Sequence, residues 1–454
     1  MRPLIIIASA LLLAPSALVA QAAAPPSRQE LLERDGIVWG SATAWVTPFA
    51  ENLPDDQKVA GLSRLWMEVK ANFPNFARVP ELDWDKAFVD YLPRVRATTS
   101  TAEYYRVLQQ MVALLHDGHT NVFVPKELAA RVASPPIVID AIEHRPFVTG
   151  VPSEKLRAQG VVPGLEILAI DEIPVADFVR DRRAPYMSSN SPQHVEVKLY
   201  SYGLLEGPRE QPVRVTFRRA DGKSFSASIA RAPYDDVQPL APVEVRDLPG
   251  HMLYVAINTF NSDETEKQFV AALPRLQASN GVVIDARRND GGSGVIAFDI
   301  LGYLAKTDVP LPQWKSREYV PTLRAWGTAG KWHVAEKQTW PAKPAEAVLK
   351  PVVMLIGPRA LSASDVFAES FRLMQRGALV GEATGGSTGD PVAFALPGGG
   401  QGRVSTSALV GTDLVGHGVQ PTIPAPRTVR DFLAGRDMAL EAALAELGKQ
   451  ARHP

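Results

Sequence analysis

The sequence predicts a mixed α/β protein: an α/β core preceded by an N-terminal helical domain, with a β module inserted between them. Three observations carry that prediction. Apolar residues recur at helical spacing through residues 31–112, with Val59, Leu62, Leu65 and Val69 on one face and Tyr104, Leu108, Met111 and Leu115 on another. Short β-type runs replace them over residues 135–233. From His251 to Ile423, apolar strand-like runs alternate with amphipathic stretches, the pattern of strands joined by helices.

Length and composition set the outer bounds. A chain of 454 residues with 46% apolar and 21% charged content is globular and too long for one compact core, so two or three domains are expected. Lys and Arg total 48 against 49 Asp and Glu, a net charge of −1 without a long basic run, which argues against a nucleic-acid partner. The chain has no cysteine, excluding disulfides, thiolate metal sites and a cysteine nucleophile.

Taken in order, the chain opens with Arg2, an apolar run over residues 4–13 and Ala20-Gln-Ala22. This reads as a cleavable secretory signal over residues 1–22, too short for a spanning helix of about 20 apolar residues. The mature protein is therefore expected to be exported, periplasmic or extracellular, without an integral membrane span. In the β module the expected strands are Pro136-Ile-Val-Ile139, Phe147-Val-Thr149, Glu166-Ile-Leu-Ala-Ile170, Val213-Arg-Val-Thr-Phe217 and Ser224-Phe-Ser-Ala-Ser-Ile229. The last two are joined by the hairpin signal Ala220-Asp-Gly222. An amphipathic helix over residues 428–447 closes the chain.

Three motifs carry candidate chemistry. Ser362 follows the apolar run Pro351-Val-Val-Met-Leu-Ile356 and opens the amphipathic stretch over residues 363–374, a strand, turn and helix. Free N–H groups and the dipole at a helix N-terminus stabilise an anion, which suits an acyl-transfer nucleophile. With Asp365 three residues on, Ser362 also reads as a helix cap. His119, in Leu114-Leu-His-Asp-Gly-His-Thr-Asn-Val122, sits at a turn between a helix and a β-type run, where it reads as a general base or as a surface turn residue. The pair His116 and His119 lacks a third ligand at a recognisable spacing, so no metal is expected. The third motif, Gly281-Val-Val-Ile-Asp-Ala-Arg-Arg-Asn-Asp-Gly-Gly-Ser-Gly294, runs a buried strand into a glycine-rich turn fit for an oxyanion hole, a phosphate cradle or simply a tight turn. No GK[ST] follows it, nor Gly385-Gly-Ser-Thr-Gly389, which weakens a P-loop.

The order of these motifs, with Tyr254-Val-Ala-Ile-Asn-Thr-Phe260, Leu361-Ser-Ala-Ser-Asp365, Gly381-Glu-Ala-Thr384 and Gly416-His-Gly-Val-Gln-Pro421, resembles the tail-specific or C-terminal processing serine peptidases, in the branch similar to the tricorn core. The resemblance covers residues 62–423. It implies a crotonase/ClpP-like α/β sandwich core over residues 248–427, a helical domain over 28–125, a PDZ-like module over 135–235 and a C-terminal helix and tail over 428–454. The segment 180–207 is longer than a minimal PDZ module needs.

One branch of the family takes a lysine base from G-E-x-T-x-G-K. Here the matching stretch ends in Ser387, and no lysine occurs between Ser362 and Lys449. The resemblance thus implies Ser362 as nucleophile, His119 as base and the N–H groups of Ala363 and Gly291 as the oxyanion hole, with no metal or organic cofactor. The tricorn-like pattern places a serine directly before the histidine and a glutamate near G-x-G-V-x-P, where this chain has Gly118 and Val415. Asp413 is the acid expected to orient His119, with Glu382 in reserve. Protein or peptide substrates follow. The same fold serves a retinoid-binding family, so a catalytically silent ligand- or peptide-binding relative is the alternative.

Overall fold

The computed structural model describes residues 45–450 except 238, 239 and 329. The signal expected at residues 1–22 lies outside the described residues.

Three helices open the described chain: α1 (Asp55–Asn72), α2 (Trp84–Arg96) and α3 (Thr101–Ala113). Asp83 and Ser100 cap the latter two, each side chain accepting the N–H of the third residue on. The helices bury Leu62, Leu65, Val69, Tyr104, Leu108 and Met111 in one cluster. That cluster is not closed by the helices alone, because Phe394, Leu396 and Val404 from near the other end of the chain complete it.

β1 (Asn121–Phe123) follows the His119 turn. The β module is a six-stranded antiparallel sheet whose main path runs in chain order, β2 (Val138–Ile142), β3 (Arg145–Gly150), β4 (Glu166–Ile170), β5 (Val213–Arg218) and β6 (Ser224–Ile229), with the two-residue strand Ile173–Pro174 paired beside β4. Its first strand lies two residues beyond the expected run at 136, because Pro135 and Pro136 supply no N–H and pairing starts at Val138. Gly222 takes φ 85° in the β5–β6 turn. Between β4 and β5 the extra length of segment 180–207 forms short helical turns, among them α4 (Pro192–Glu196).

The core is a six-stranded sheet in the order β7 (Val243–Leu248), β8 (Met252–Ile257), β9 (Gly281–Asp285), β12 (Val352–Ile356), β13 (Leu379–Gly381) and β17 (Ile423–Pro424). β7 pairs antiparallel with β8 and the remaining neighbours are parallel. The crossovers run through α5 (Glu264–Ala278), α6 (Gly294–Gly302) and α7 (Ala363–Leu373), which pack on one face around Val255, Ile284, Met354, Phe367 and Phe371. Burying each of those phenylalanines is worth roughly 1.5–3 kcal/mol. The other face, with Val283, Val353 and Leu355, is covered by α8 (Met438–Gln450). β9 and β12 are buried along their whole length, which is why they read as continuous apolar runs.

Two smaller sheets flank the core. β10 (Trp314–Glu318) pairs with β11 (Lys331–Val334) and with β16 (Ser407–Leu409). The hairpin β14 (Val392–Leu396) and β15 (Gly400–Val404) takes β1 as a third strand, Asn121 opposite Arg403. The single helix expected at 428–447 is two, Val429–Leu433 and α8, because Gly435 at φ 70° ends the first. No described helix is long and apolar enough to cross a membrane.

Candidate active site

The loops after β9, β12 and β13 leave the carboxyl ends of neighbouring parallel strands, the edge where open α/β sheets place ligands. The loop after β12 carries Ser362 at the mouth of α7, with φ 57° and ψ −118°. Such a backbone costs an L-residue roughly 1–3 kcal/mol and persists only where its surroundings hold it. Here the holders are explicit: Ser362 N–H donates to Ser387 O at 2.9 Å and to Asp365 Oδ2 at 3.0 Å.

Ser362 Oγ lies 3.0 Å from His119 Nε2. The turn that brings His119 there is built on Asp117, whose buried Oδ1 accepts the N–H of His119 and Thr120 and the hydroxyls of Thr120 and Ser405. Arg403 Nε donates to His119 O at 3.1 Å. Segment 180–207 grips the same turn from the other side. Ser188 Oγ accepts Asp117 N–H, Asn190 Oδ1 accepts Gly118 N–H, and Lys198 Nζ donates to the carbonyls of Gly118 and Ser188. Burial, with the nearby Arg403 and Lys198 charges, pushes the His119 imidazole down to about 3 against the opposing pull of Asp117. The ring is therefore neutral at working pH, as a base requires.

The second ring nitrogen, Nδ1, meets Ser387 Oγ at 2.9 Å. Asp413 does not take the place expected of it: its side chain is exposed, beside the short turn Leu414–His417, and the ring's outer nitrogen is on Ser387 instead. Glu382 is half-buried, its carboxyl raised chiefly by burial, and no hydrogen bond joins it to His119 among the described residues.

The two N–H groups expected to form an oxyanion hole fare differently. Gly291 packs onto Ser362 so closely that a Cβ there would stand 2.7 Å from Leu361 O and 2.8 Å from Ser362 Cβ. Its N–H, however, donates to Asn289 Oδ1 at 2.9 Å, so that donor is engaged locally. Ala363 N–H has no acceptor among the described residues, as the first turn of a helix dictates. Among those residues no group of three or more His, Asp or Glu is arranged to hold a metal.

Residues 251–425 match peptidase family S41, and residues 62–113 match the tricorn protease C1 domain. Over residues 251–425 the chain is thus similar to peptidase family S41. A carboxyl-terminal-processing protease from Synechocystis sp. is 25% identical over 306 residues, which is 64% of this chain and 63% of that protein, less than two thirds of the relative's length. Among solved structures, mature CPAF in complex with lactacystin superposes with a TM-score of 0.65 at 16% identity, covering 87% of this chain and 98% of that one. The photosystem II D1 C-terminal processing protease gives 0.51 at 20% identity, over 85% and 98%. At these identities the structural likeness speaks for the fold. The S41 stretch holds β8 through β17 and thus Ser362 and Ser387, whereas His119 lies outside both matched segments.

Four residues of the site escaped the sequence. Ser387, Asn190, Lys198 and Ser405 reach the histidine turn from three other stretches of chain; of these only Ser387 stands in a motif, at the end of the stretch matching G-E-x-T-x-G-K, and nothing there marks it as a partner of His119. The surplus length of segment 180–207 was the one available signal for Asn190 and Lys198.

Proposed function

We propose that the chain is an exported serine peptidase, periplasmic or extracellular, that hydrolyses peptide bonds in proteins or peptides through an acyl-enzyme on Ser362. The observation that carries this reading is the 3.0 Å contact between Ser362 Oγ and His119 Nε2 at the mouth of α7. A helix cap has no use for a histidine 243 residues away, and neither has the ligand-binding alternative. Ser362 attacks the substrate carbonyl while His119 Nε2 takes its proton and delivers it to the leaving amine; water then repeats the cycle on the ester. Ala363 N–H stabilises the oxyanion, and Gly291 N–H joins it on release from Asn289. An oxyanion donor of this kind is typically worth about 2.7–4 kcal/mol. The chemistry needs no metal or organic cofactor.

The core is read as crotonase/ClpP-like, which its strands in chain order with helical crossovers support. The β module is read as PDZ-like, a type that binds peptide ends along a sheet edge. The test is labelling with a fluorophosphonate probe. Wild type should be labelled, and Ser362→Ala and His119→Ala should not; labelling that survives in Ser362→Ala would overturn the reading.

A further inference from the structure

The place next to His119 where a side chain of residue 118 would stand is already taken. A Cβ built on Gly118 would lie 2.1 Å from Ser387 Oγ, 2.8 Å from His194 Cε1 and 2.9 Å from Asn190 Oδ1. Gly118 is not among the residues with positive φ, so lack of room and not backbone conformation demands glycine there. The hydroxyl on His119 Nδ1 thus arrives from position 387, in the loop after β13, 268 residues along the chain.

That hydroxyl is held as an active-site group must be. Ser387 is fully buried, its N–H donates to Asp365 Oδ2 at 2.9 Å, and its carbonyl accepts Ser362 N–H at 2.9 Å. One residue therefore touches the base through its side chain and the nucleophile through its backbone. Among the described residues no carboxylate bonds the ring. Asp117 spends its oxygens on the N–H groups and hydroxyls of its own turn, on Ser405 and on Asn190, and Asp365 accepts four donors in the loop. The other charged or titratable groups bearing on His119 are Arg403 and Lys198, both cationic, and the buried ring of His194, whose two nitrogens have no partner among the described residues.

Resting on the serine-peptidase reading, we infer that Ser387 is the positioning residue of the base: its hydroxyl accepts the Nδ1 proton of His119, fixing the ring plane and the tautomer that leaves Nε2 bare toward Ser362. The array is then Ser–His–Ser, with a neutral hydroxyl where serine peptidases commonly place an acid. A hydroxyl orients the ring as a carboxylate does but stabilises the imidazolium less, so its removal disturbs geometry and tautomer more than charge.

Two measurements test this. The first is the ¹⁵N spectrum of histidine-labelled protein, with His119 assigned by comparison with His119→Gln. Wild type should show His119 protonated at Nδ1 and bare at Nε2, and Ser387→Ala should shift it to mixed tautomers. The second is kinetic: Ser387→Ala should lose about 10²-fold in kcat, the size of effect a small misplacement of a catalytic group produces, with KM nearly unchanged. Gly118→Ser alone should inactivate by collision with Ser387. A wild-type His119 protonated at Nε2 overturns the inference even if no variant folds. So does a folded Ser387→Ala with wild-type kcat and unchanged ¹⁵N shifts. Failure of wild type to react with fluorophosphonate would instead sink the peptidase reading, leaving the tautomer measurement to decide the role of Ser387 by itself.

Discussion

Asp365 ties Ser387 to Ser362: its Oδ2 accepts the backbone N–H of Ser387 at 2.9 Å and that of Ser362 at 3.0 Å. Its Oδ1 takes Gly386 N–H and the Thr384 hydroxyl. The carboxylate that reads from sequence as half of a capping box is the post on which Ser362 and the loop are hung.

Asp365→Ala should therefore destabilise the fold strongly. It leaves several buried donors without an acceptor, at roughly 1–3 kcal/mol for each that water does not reach. Urea unfolding should show a total loss of more than about 3 kcal/mol. A loss below 1 kcal/mol would mean that the loop holds itself.

Gly291→Ala should inactivate with a smaller effect on stability. The added methyl meets Leu361 O and Ser362 Cβ well inside contact distance, and φ 102° already disfavours an L-residue. Relief must come from moving the nucleophile. Fluorophosphonate reaction should slow by at least about 10²-fold while the circular dichroism spectrum is retained; wild-type labelling would place the oxyanion loop elsewhere.

Ser362→Gly and Ser362→Ala should both be inactive yet differ in stability. Glycine adopts the φ 57°, ψ −118° backbone at less cost than alanine, so Ser362→Gly should be the more stable of the two by about 1 kcal/mol. Thermal or urea denaturation of the pair decides it, and an alanine variant as stable as the glycine one would show that the site stores no strain.

Stability should fall in mild acid through two rings. Burial lowers the His119 imidazole to about 3 and that of His194, with help from the Lys198 charge, to about 2. Between these values and 6.5 the unfolded chain binds protons that the folded chain refuses, so the contribution is intact above pH 6.5 and lost as pH drops toward 3. Asp365, which burial raises to about 7, acts with the opposite sign over pH 4 to 7. With each pH unit costing about 1.4 kcal/mol per fully depressed ring, His194→Gln should lose clearly less stability than wild type between pH 6.5 and 4.5. Parallel curves would show that His194 is not buried in the neutral form.

The sheets were readable because burial writes itself as period. β9 and β12 are buried throughout and almost wholly apolar, β5 and β6 alternate, and Ala220-Asp-Gly222 marks their turn. Ser362 and His119 were readable because each stands at a break between two periodic elements. The partner of His119 was not: Ser387 is noticeable only as the residue standing where the lysine-dependent branch has its base, and its meeting with His119 exists only once the sheet and the module have closed. Asp413 drew notice for its charge, yet a neutral hydroxyl occupies Nδ1. The helical segment read as self-contained because its own spacing is regular; the hairpin β14–β15 that completes its core carries no mark of that partnership.

The β1–β15 pairing has a consequence for biosynthesis. The turn bearing His119 hangs on Arg403 and Ser405, so a nascent chain emerging from the ribosome holds Ser362 before the scaffold of His119 exists. More than forty further residues must follow Ser362 before the two can be set together. The order of synthesis thus keeps Ser362 and His119 apart until the chain has been made past Ser405.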